Sequence, residues 1–166
     1  DREDHRMTDA RFEDAPLSDQ PLRLKAESTD DLVVLSSLIQ DAVMKVGNIH
    51  WLPRARRLIM IVHRFRWEDR DYALQQQRPF ERVQSALTIN DVTAVRVRDV
   101  AQDHADAVLA LLSLDFFDEP DGSGRVSISM ADGRELGVEA ECLNVTLTDL
   151  TQPWEAKATS APSHPE

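Results

Sequence analysis

The sequence predicts an α+β domain: a strongly bent antiparallel sheet or open β-barrel of about eight strands, with one helix near the N-terminus packed on it. Three observations carry that expectation. Short stretches alternate apolar and polar residues at period two along most of the chain. One stretch after residue 28 instead repeats its apolar residues at three and four. The linkers are short and turn-like, with no alternating strand–helix rhythm, so neighbouring strands should pair antiparallel.

Leu22-Arg23-Leu24-Lys25-Ala26 alternates as a strand. Ser28 or Thr29 can cap a helix, and Asp30 and Asp31 sit well in its first turn. Leu32, Leu35, Leu38, Ile39, Ala42 and Val43 then form one apolar stripe, so the helix is expected over 29–44, with Gly47 stopping it. Val46–Leu52 and Arg57–Trp67 read as a hairpin around Pro53-Arg54-Ala55-Arg56. Pairing Leu52 with Arg57 puts Trp51 opposite Leu58, His50 opposite Ile59 and His63 opposite Val46. Leu58, Met60, Val62, Arg64 and Arg66 then share one face, and Ile59, Ile61, His63, Phe65 and Trp67 the other. The far end, with Arg64 and Arg66, is expected to emerge into solvent.

Glu68–Pro79 is polar and reads as a loop. Glu81–Ile89 and Val92–Arg98 read as strands around an Asn90-Asp91 turn. Asp99–Asp106 can hold a helical turn, and Val108–Phe117 is read as a strand. Arg125–Ala131 alternates, Asp132-Gly133 is a hairpin turn, and Arg134–Leu147 returns with Leu136, Val138, Ala140 and Cys142 on one side. A weaker alternative divides the chain into two β-α-β-β halves, near 22–67 and 92–148, which requires a helix over 104–112.

The composition bounds the function. The chain has 166 residues, 42% of them hydrophobic and 30% charged, with one cysteine and a net charge of −11. That size is one domain. It excludes a disulfide scaffold, a cysteine-rich zinc domain and a wholly basic nucleic-acid binder. There is no apolar run of the ~18 residues a membrane helix needs. Residues 1–20 are acidic and polar and are read as disordered, 21–154 as a single α+β domain, and 155–166 as a disordered tail. The start has no basic stretch leading into an apolar one, so the expected location is cytoplasmic, and Met7 is a candidate natural start.

The charge is polarised. Lys45–Arg98 holds eleven basic and five acidic residues, +6, and the remainder holds eight and twenty-five, −17. Ten of those eleven cations are arginines, which grip carboxylates and phosphates bidentately. Arg54, Arg56 and Arg57 crowd the hairpin turn, and Arg64-Phe65-Arg66-Trp67-Glu68 interleaves cations with aromatic rings. Such interleaving suits single-stranded nucleic acid, but the net charge opposes a polyanion. An acidic patch on another protein is the better match. The candidate contact residues are therefore Arg54, Arg56, Arg57, Arg64, Arg66, Trp67 and Glu68. Ordinary solvated or internally paired arginines would produce the same pattern.

Nothing in the chain assembles a catalytic signature. His5 and His164 lie in the terminal segments. The rings of His50 and His63 are about 13 Å apart at ~3.3 Å per residue, too far to share a metal. Asp-His-Ala-Asp around His104 is too short to be a metal site. The carboxylates Glu68, Asp69, Asp71, Asp115, Asp118, Glu119, Asp121, Glu139 and Glu141 have no EF-hand spacing, and an inward Asp115 would need Arg64 or Arg66 beside it. Ser36, Ser37 and Ser85 lie outside any nucleophile elbow, and Cys142 reads as a small core residue. Five glycines leave no phosphate-cradling loop. No catalytic residue, cofactor or metal is implied.

Several segments are distinctive: Leu38-Ile39-Gln40-Asp41-Ala42-Val43, Val46-Gly47, Trp51-Leu52-Pro53, the specific Arg64-Phe65-Arg66-Trp67-Glu68, and Glu141-Cys142 with Leu150 and Pro153-Trp154. Together they resemble an uncharacterised bacterial family, the domain of unknown function 2948 family. The resemblance spans Leu22 to Trp154. It implies a small stand-alone cytoplasmic protein and brings no activity, cofactor or catalytic residue. Three readings of function follow. The first is a non-enzymatic protein-binding or adaptor domain using the arginine-rich strand end. The second is a small-ligand protein or enzyme with a helix–sheet pocket containing His63, Glu68, Asp69 or Asp115. The third is an RNA-binding module. Partner, process and oligomeric state are not encoded in any residue pattern.

Overall fold

Strand pairing in the computed structural model, which describes residues 21–77, 81–98, 104–150 and 154–155, is antiparallel throughout. The strands are β1 (Arg23–Ala26), β2 (Val43–Lys45), β3 (Ile49–Leu52), β4 (Arg57–Phe65), β5 (Glu81–Ile89), β6 (Val92–Arg98), β7 (Val108–Asp118), β8 (Gly124–Met130), β9 (Glu135–Ala140), β10 (Val145–Asp149) and β11 (Trp154–Glu155). The helices are α1 (Thr29–Leu38) and α2 (Arg70–Gln75). One sheet runs in the order β1-β10-β5-β4-β2-β7-β8-β9-β6, with β3 also on β4 and β11 also on β5. Its ends, β1 and β6, do not pair, so the sheet is open. The α+β class holds, with eleven strands among the described residues where about eight are expected. The extra ones are β2, β10 and β11. Residues 1–20 and 156–166 lie outside the described residues.

Helix α1 starts as expected: the Ser28 hydroxyl accepts from Asp31 N–H at 3.1 Å. It ends at Leu38, well before residue 44. Asp41 takes a positive φ of 65°, and its N–H donates to Leu111 O, which turns the chain into β2. Ala42 and Val43 thus continue the stripe by period but lie beyond the helix, and Val43 opens β2, which is gripped on both sides by β4 and β7. Gly47 lies in a 3₁₀ turn, where its N–H donates to Ala105 O at 2.8 Å. A Cβ there would come within 3.1 Å of the Ala105 Cβ, so the glycine permits a close approach rather than stopping a helix.

The β3–β4 hairpin has the expected register, with Leu52 opposite Arg57, Trp51 opposite Leu58 and His50 opposite Ile59. It ends at Ile49, and His63 faces Val43 of β2 instead of Val46. The two faces of β4 also partition as expected. Leu58, Met60 and Val62 are fully buried, and Ile59, Ile61 and His63 are half-buried. The polar stretch after β4 is not a loop but a 3₁₀ turn, Trp67–Asp69, followed by α2.

Residues 104–107 form a turn and 108–118 a strand, so the two-halves alternative is not adopted. The proposed helical turn over 99–106 falls largely outside the described residues. Strand β7 carries a bulge between Leu111 and Ser113. There the Leu114 N–H is met by the Ser36 hydroxyl of α1 at 2.9 Å. Asp132-Gly133 turns β8 into β9, with Gly133 at φ 92°. The expected last strand is broken at 141–144, and this overturns the reading of Cys142: it lies in the break and is exposed.

The core is one cluster. It joins Leu32, Leu35, Leu38 and Ile39 of the α1 segment to Leu109 and Leu111 of β7, to the inner face of β4, and to Val126, Ile128, Leu136 and Val138. Among the described residues no helix is long and apolar enough to cross a membrane.

Candidate functional site

Seven residues are proposed as contacts from sequence, and the structure divides them into two groups. Arg64, Arg66, Trp67 and Glu68 form part of a buried polar network. Arg54, Arg56 and Arg57 stand on the surface.

The expectation that Arg64 and Arg66 emerge into solvent is overturned. Arg64 is fully buried and Arg66 is 3% exposed. Period-two alternation explains the position. Arg64 continues the inward face of Leu58, Met60 and Val62, and β5 and β10 run on in the sheet beside it. Ser85 of β5 pairs with Asp149 of β10 at that same end of the sheet. The 3₁₀ turn then brings Glu68 back over Arg64.

The Arg64 guanidinium is saturated. It donates to both Glu68 oxygens at 2.9 Å, to Asp149 at 3.0–3.2 Å, to the Ser85 hydroxyl at 3.1 Å and to Phe65 O at 3.1 Å. Asp149 also accepts from Ser85 at 2.8 Å and from the Leu22 N–H at 2.8 Å. Burial alone would loosen Arg64's proton, but the hydrogen bond and charge of Glu68, with Asp149, outweigh it and raise the pKa. Burial likewise opposes ionisation of Glu68, and the Arg64 bond and charge, helped by Arg66, hold its carboxyl below the ordinary value of 4.5. Arg66 reaches Glu81 at 2.6 Å and Asp69 at 3.8 Å.

The aromatic residues are also committed. Phe65 is buried, with the Arg82 guanidinium 4.5 Å from its ring centre. Trp67 is half-buried, packs 5.5 Å from Phe65, and donates its indole N–H to Gln40 O at 2.9 Å. This strand end therefore offers no exposed pair of rings on which bases could stack.

The hairpin turn is different. Arg54, Arg56 and Arg57 are all exposed. Arg56 has φ 56°, its N–H donates to Pro53 O, and its carbonyl accepts from the Val92 N–H at 2.9 Å. Its guanidinium meets Glu141 at 2.6 Å. Arg57 donates to Asn90 at 3.1 Å. Arg54 has no partner among the described residues. Leu52, 41% exposed, adds an apolar contact beside them.

The remaining candidates scatter. His50 and His104 are exposed, and His63 is half-buried, its pKa lowered by burial and by the charges of Arg82 and Lys45. Asp115 is exposed, whereas Arg64 and Arg66 are buried and bonded to other acids. Among the described residues no three His, Cys, Asp or Glu side chains are placed to hold a metal ion. The helix–sheet interface, proposed as a pocket, is filled by buried leucines and Ile39. A cleft of about 350 Å³ lies elsewhere, between the β7–β8 turn and β9, and contains Phe117, Glu119, Arg125, Glu139 and Glu141. Sequence reasoning singles out several of these carboxylates but reads Arg125 and Phe117 only as strand residues, since their convergence depends on cross-strand register. It also misses Asp149, Ser85 and Glu81 as partners of the buried arginines, because they lie 15–85 positions away from them.

No curated protein and no solved structure matches this chain. A family model described as a protein of unknown function, DUF2948, matches residues 22–164, which extends past the Leu22–Trp154 span of the resemblance. That match covers the β-sheet, both helices, the buried arginine network and the exposed turn, so the chain belongs to the DUF2948 family of proteins of unknown function.

Proposed function

We propose that this chain is a non-enzymatic binding domain whose contact surface is the β3–β4 turn, and that its partner is an acidic segment of another protein. One observation carries the reading. Arg54, Arg56 and Arg57 crowd one exposed turn, while the neighbouring Arg64 and Arg66 are neutralised inside. The turn is stiffened by its backbone bonds to Pro53 and Val92, so little backbone freedom is lost on docking. Arginine forks favour carboxylates bidentately, and Leu52 supplies apolar area beside them. The finer assignment to Arg64, Arg66, Trp67 and Glu68 is dropped, since those side chains already hold one another.

The test compares the wild-type chain with a triple variant, Arg54→Ser, Arg56→Ser and Arg57→Ser, as bait for host extract at low salt. Capture of a stoichiometric protein that is lost in the folded triple variant and weakened by salt supports the reading. Capture that is equal in both baits removes the turn as the contact. Nuclease-sensitive material bound to the turn would favour RNA over protein.

A further inference from the structure

The cleft beside β9 has an unusual balance of charge. Glu139 is committed to Arg96 at 2.7 Å, and Glu141 to Arg56 at 2.6 Å. That leaves Glu119 and Arg125, which line the same cleft and have no ion-pair partner among the described residues, and which do not bond each other. One uncommitted anion and one uncommitted cation thus face a single space.

The space is built by the backbone. Phe117 and Arg125 are direct cross-strand neighbours on β7 and β8, and the guanidinium sits 5.1 Å from the ring centre. Gly137 on β9 leaves room for the Arg125 stem: a Cβ there would lie 3.3 Å from its Cδ. Gly124 lets β7 and β8 close up beside the cleft, since its Cβ would lie 2.5 Å from Phe117 O. Phe117 remains 54% exposed despite its place in the wall. At about 350 Å³ the cleft is at the small end of the range for small-molecule sites.

We propose that this cleft binds a free α-amino acid with an apolar side chain. Arg125, its plane steadied on Phe117, takes the carboxylate with its fork. Glu119 takes the ammonium. The exposed ring of Phe117 receives the side chain. A zwitterion satisfies both free charges at once, whereas an anion would leave Glu119 facing it and an amine would leave Arg125 facing it. The Arg56–Glu141 pair joins the arginine turn to one wall of the cleft, so the test uses Glu119 and Arg125, which take no part in that pair, and either reading can fail without the other.

The test is an amide NMR titration of the full chain with L-phenylalanine and L-leucine at low-millimolar concentration. Phenylpropionate and phenethylamine serve as ligands lacking one charge. Saturable shifts at Ser123, Gly124 and Arg125 are expected with the amino acids. Each truncated ligand, and each of Arg125→Gln and Glu119→Gln, should bind about tenfold or more weakly, as expected for one lost charged hydrogen bond. Both substitutions are at exposed positions, and circular dichroism checks that each variant is folded. The proposal is overturned if neither amino acid gives saturable shifts, if phenylpropionate binds as tightly as L-phenylalanine, or if Glu119→Gln leaves affinity unchanged.

Discussion

Replacing Arg64 with methionine should destabilise the fold severely, although the sequence places this residue among surface arginines. The substitution keeps an unbranched stem, ends short of the guanidinium position and removes every donor. Asp149, with 1% of its side chain exposed, keeps only the Ser85 hydroxyl and the Leu22 N–H, and its charge loses its counter-ion. Removing one member of a buried ion pair costs about 3–5 kcal/mol. For a domain of this size each kcal/mol moves Tm by roughly 2–4 °C, so the expected fall is roughly 6–20 °C. Differential scanning calorimetry measures it. Adding Asp149→Asn to Arg64→Met should recover part of the loss, because the stranded charge is then gone. The pH dependence has a definite sign. Glu68's folded pKa is depressed, so its contribution is present above its ordinary value of 4.5 and is lost as pH falls through the folded value. Without Arg64 that contribution is reduced, so the gap between wild type and variant should narrow in acid. A Tm change below about 3 °C, with the double variant no better than the single, would refute the network as a stabilising unit.

Three further outcomes follow from named contacts. Gly124→Ala should cost about 1–3 kcal/mol or more in urea unfolding, because its Cβ meets the Phe117 carbonyl at 2.5 Å in rigid backbone. Ser36→Ala should cost about 1–3 kcal/mol by the same assay, since the Leu114 N–H at the bulge loses its acceptor; an unchanged midpoint would mean that water replaces the hydroxyl. His63 has a folded pKa below 6.5, so its effect runs as follows: stability is complete above pH 6.5 and declines as pH falls below it, and His63→Gln should flatten that decline in a pH series of thermal melts.

Much of the sheet is legible in the sequence because period-two alternation survives wherever one strand face meets the core. The β3–β4 register, the limits of β5 and β6, and the Gly133 turn are all of this kind. The errors share a cause, which is contacts remote in sequence. The stripe from Leu32 to Val43 keeps helical spacing past Leu38, but pairing with β4 and β7 draws its end into a strand. Cys142 keeps the alternation of Val138 and Ala140, but the chain breaks out of β9 beside it, and its thiol donates to Asp91 at 3.3 Å. Arg64 fits its face, yet its residue type points to solvent. Glu68, four residues on, and Asp149, 85 residues on, together make its burial tolerable.

The motif that most specifically marks the resemblance, Arg64-Phe65-Arg66-Trp67-Glu68, is accounted for by structure. Arg64 ties β4 to Ser85 on β5, to Asp149 on β10 and to Glu68 in the turn that follows. Arg66 reaches Glu81 at the start of β5, and Trp67 holds Gln40 at the exit of α1. Four segments distant in sequence meet through these five residues. In this chain the motif is committed to holding the fold together. Experiments should be designed accordingly. A variant that removes Arg64 and Arg66 would lose any partner by unfolding, and that loss would say nothing about where the partner binds. Substitutions at Arg54, Arg56 and Arg57, or at Glu119 and Arg125, alter exposed groups and leave the buried network whole. Loss of binding at an unchanged Tm is therefore the result that locates a function on this protein.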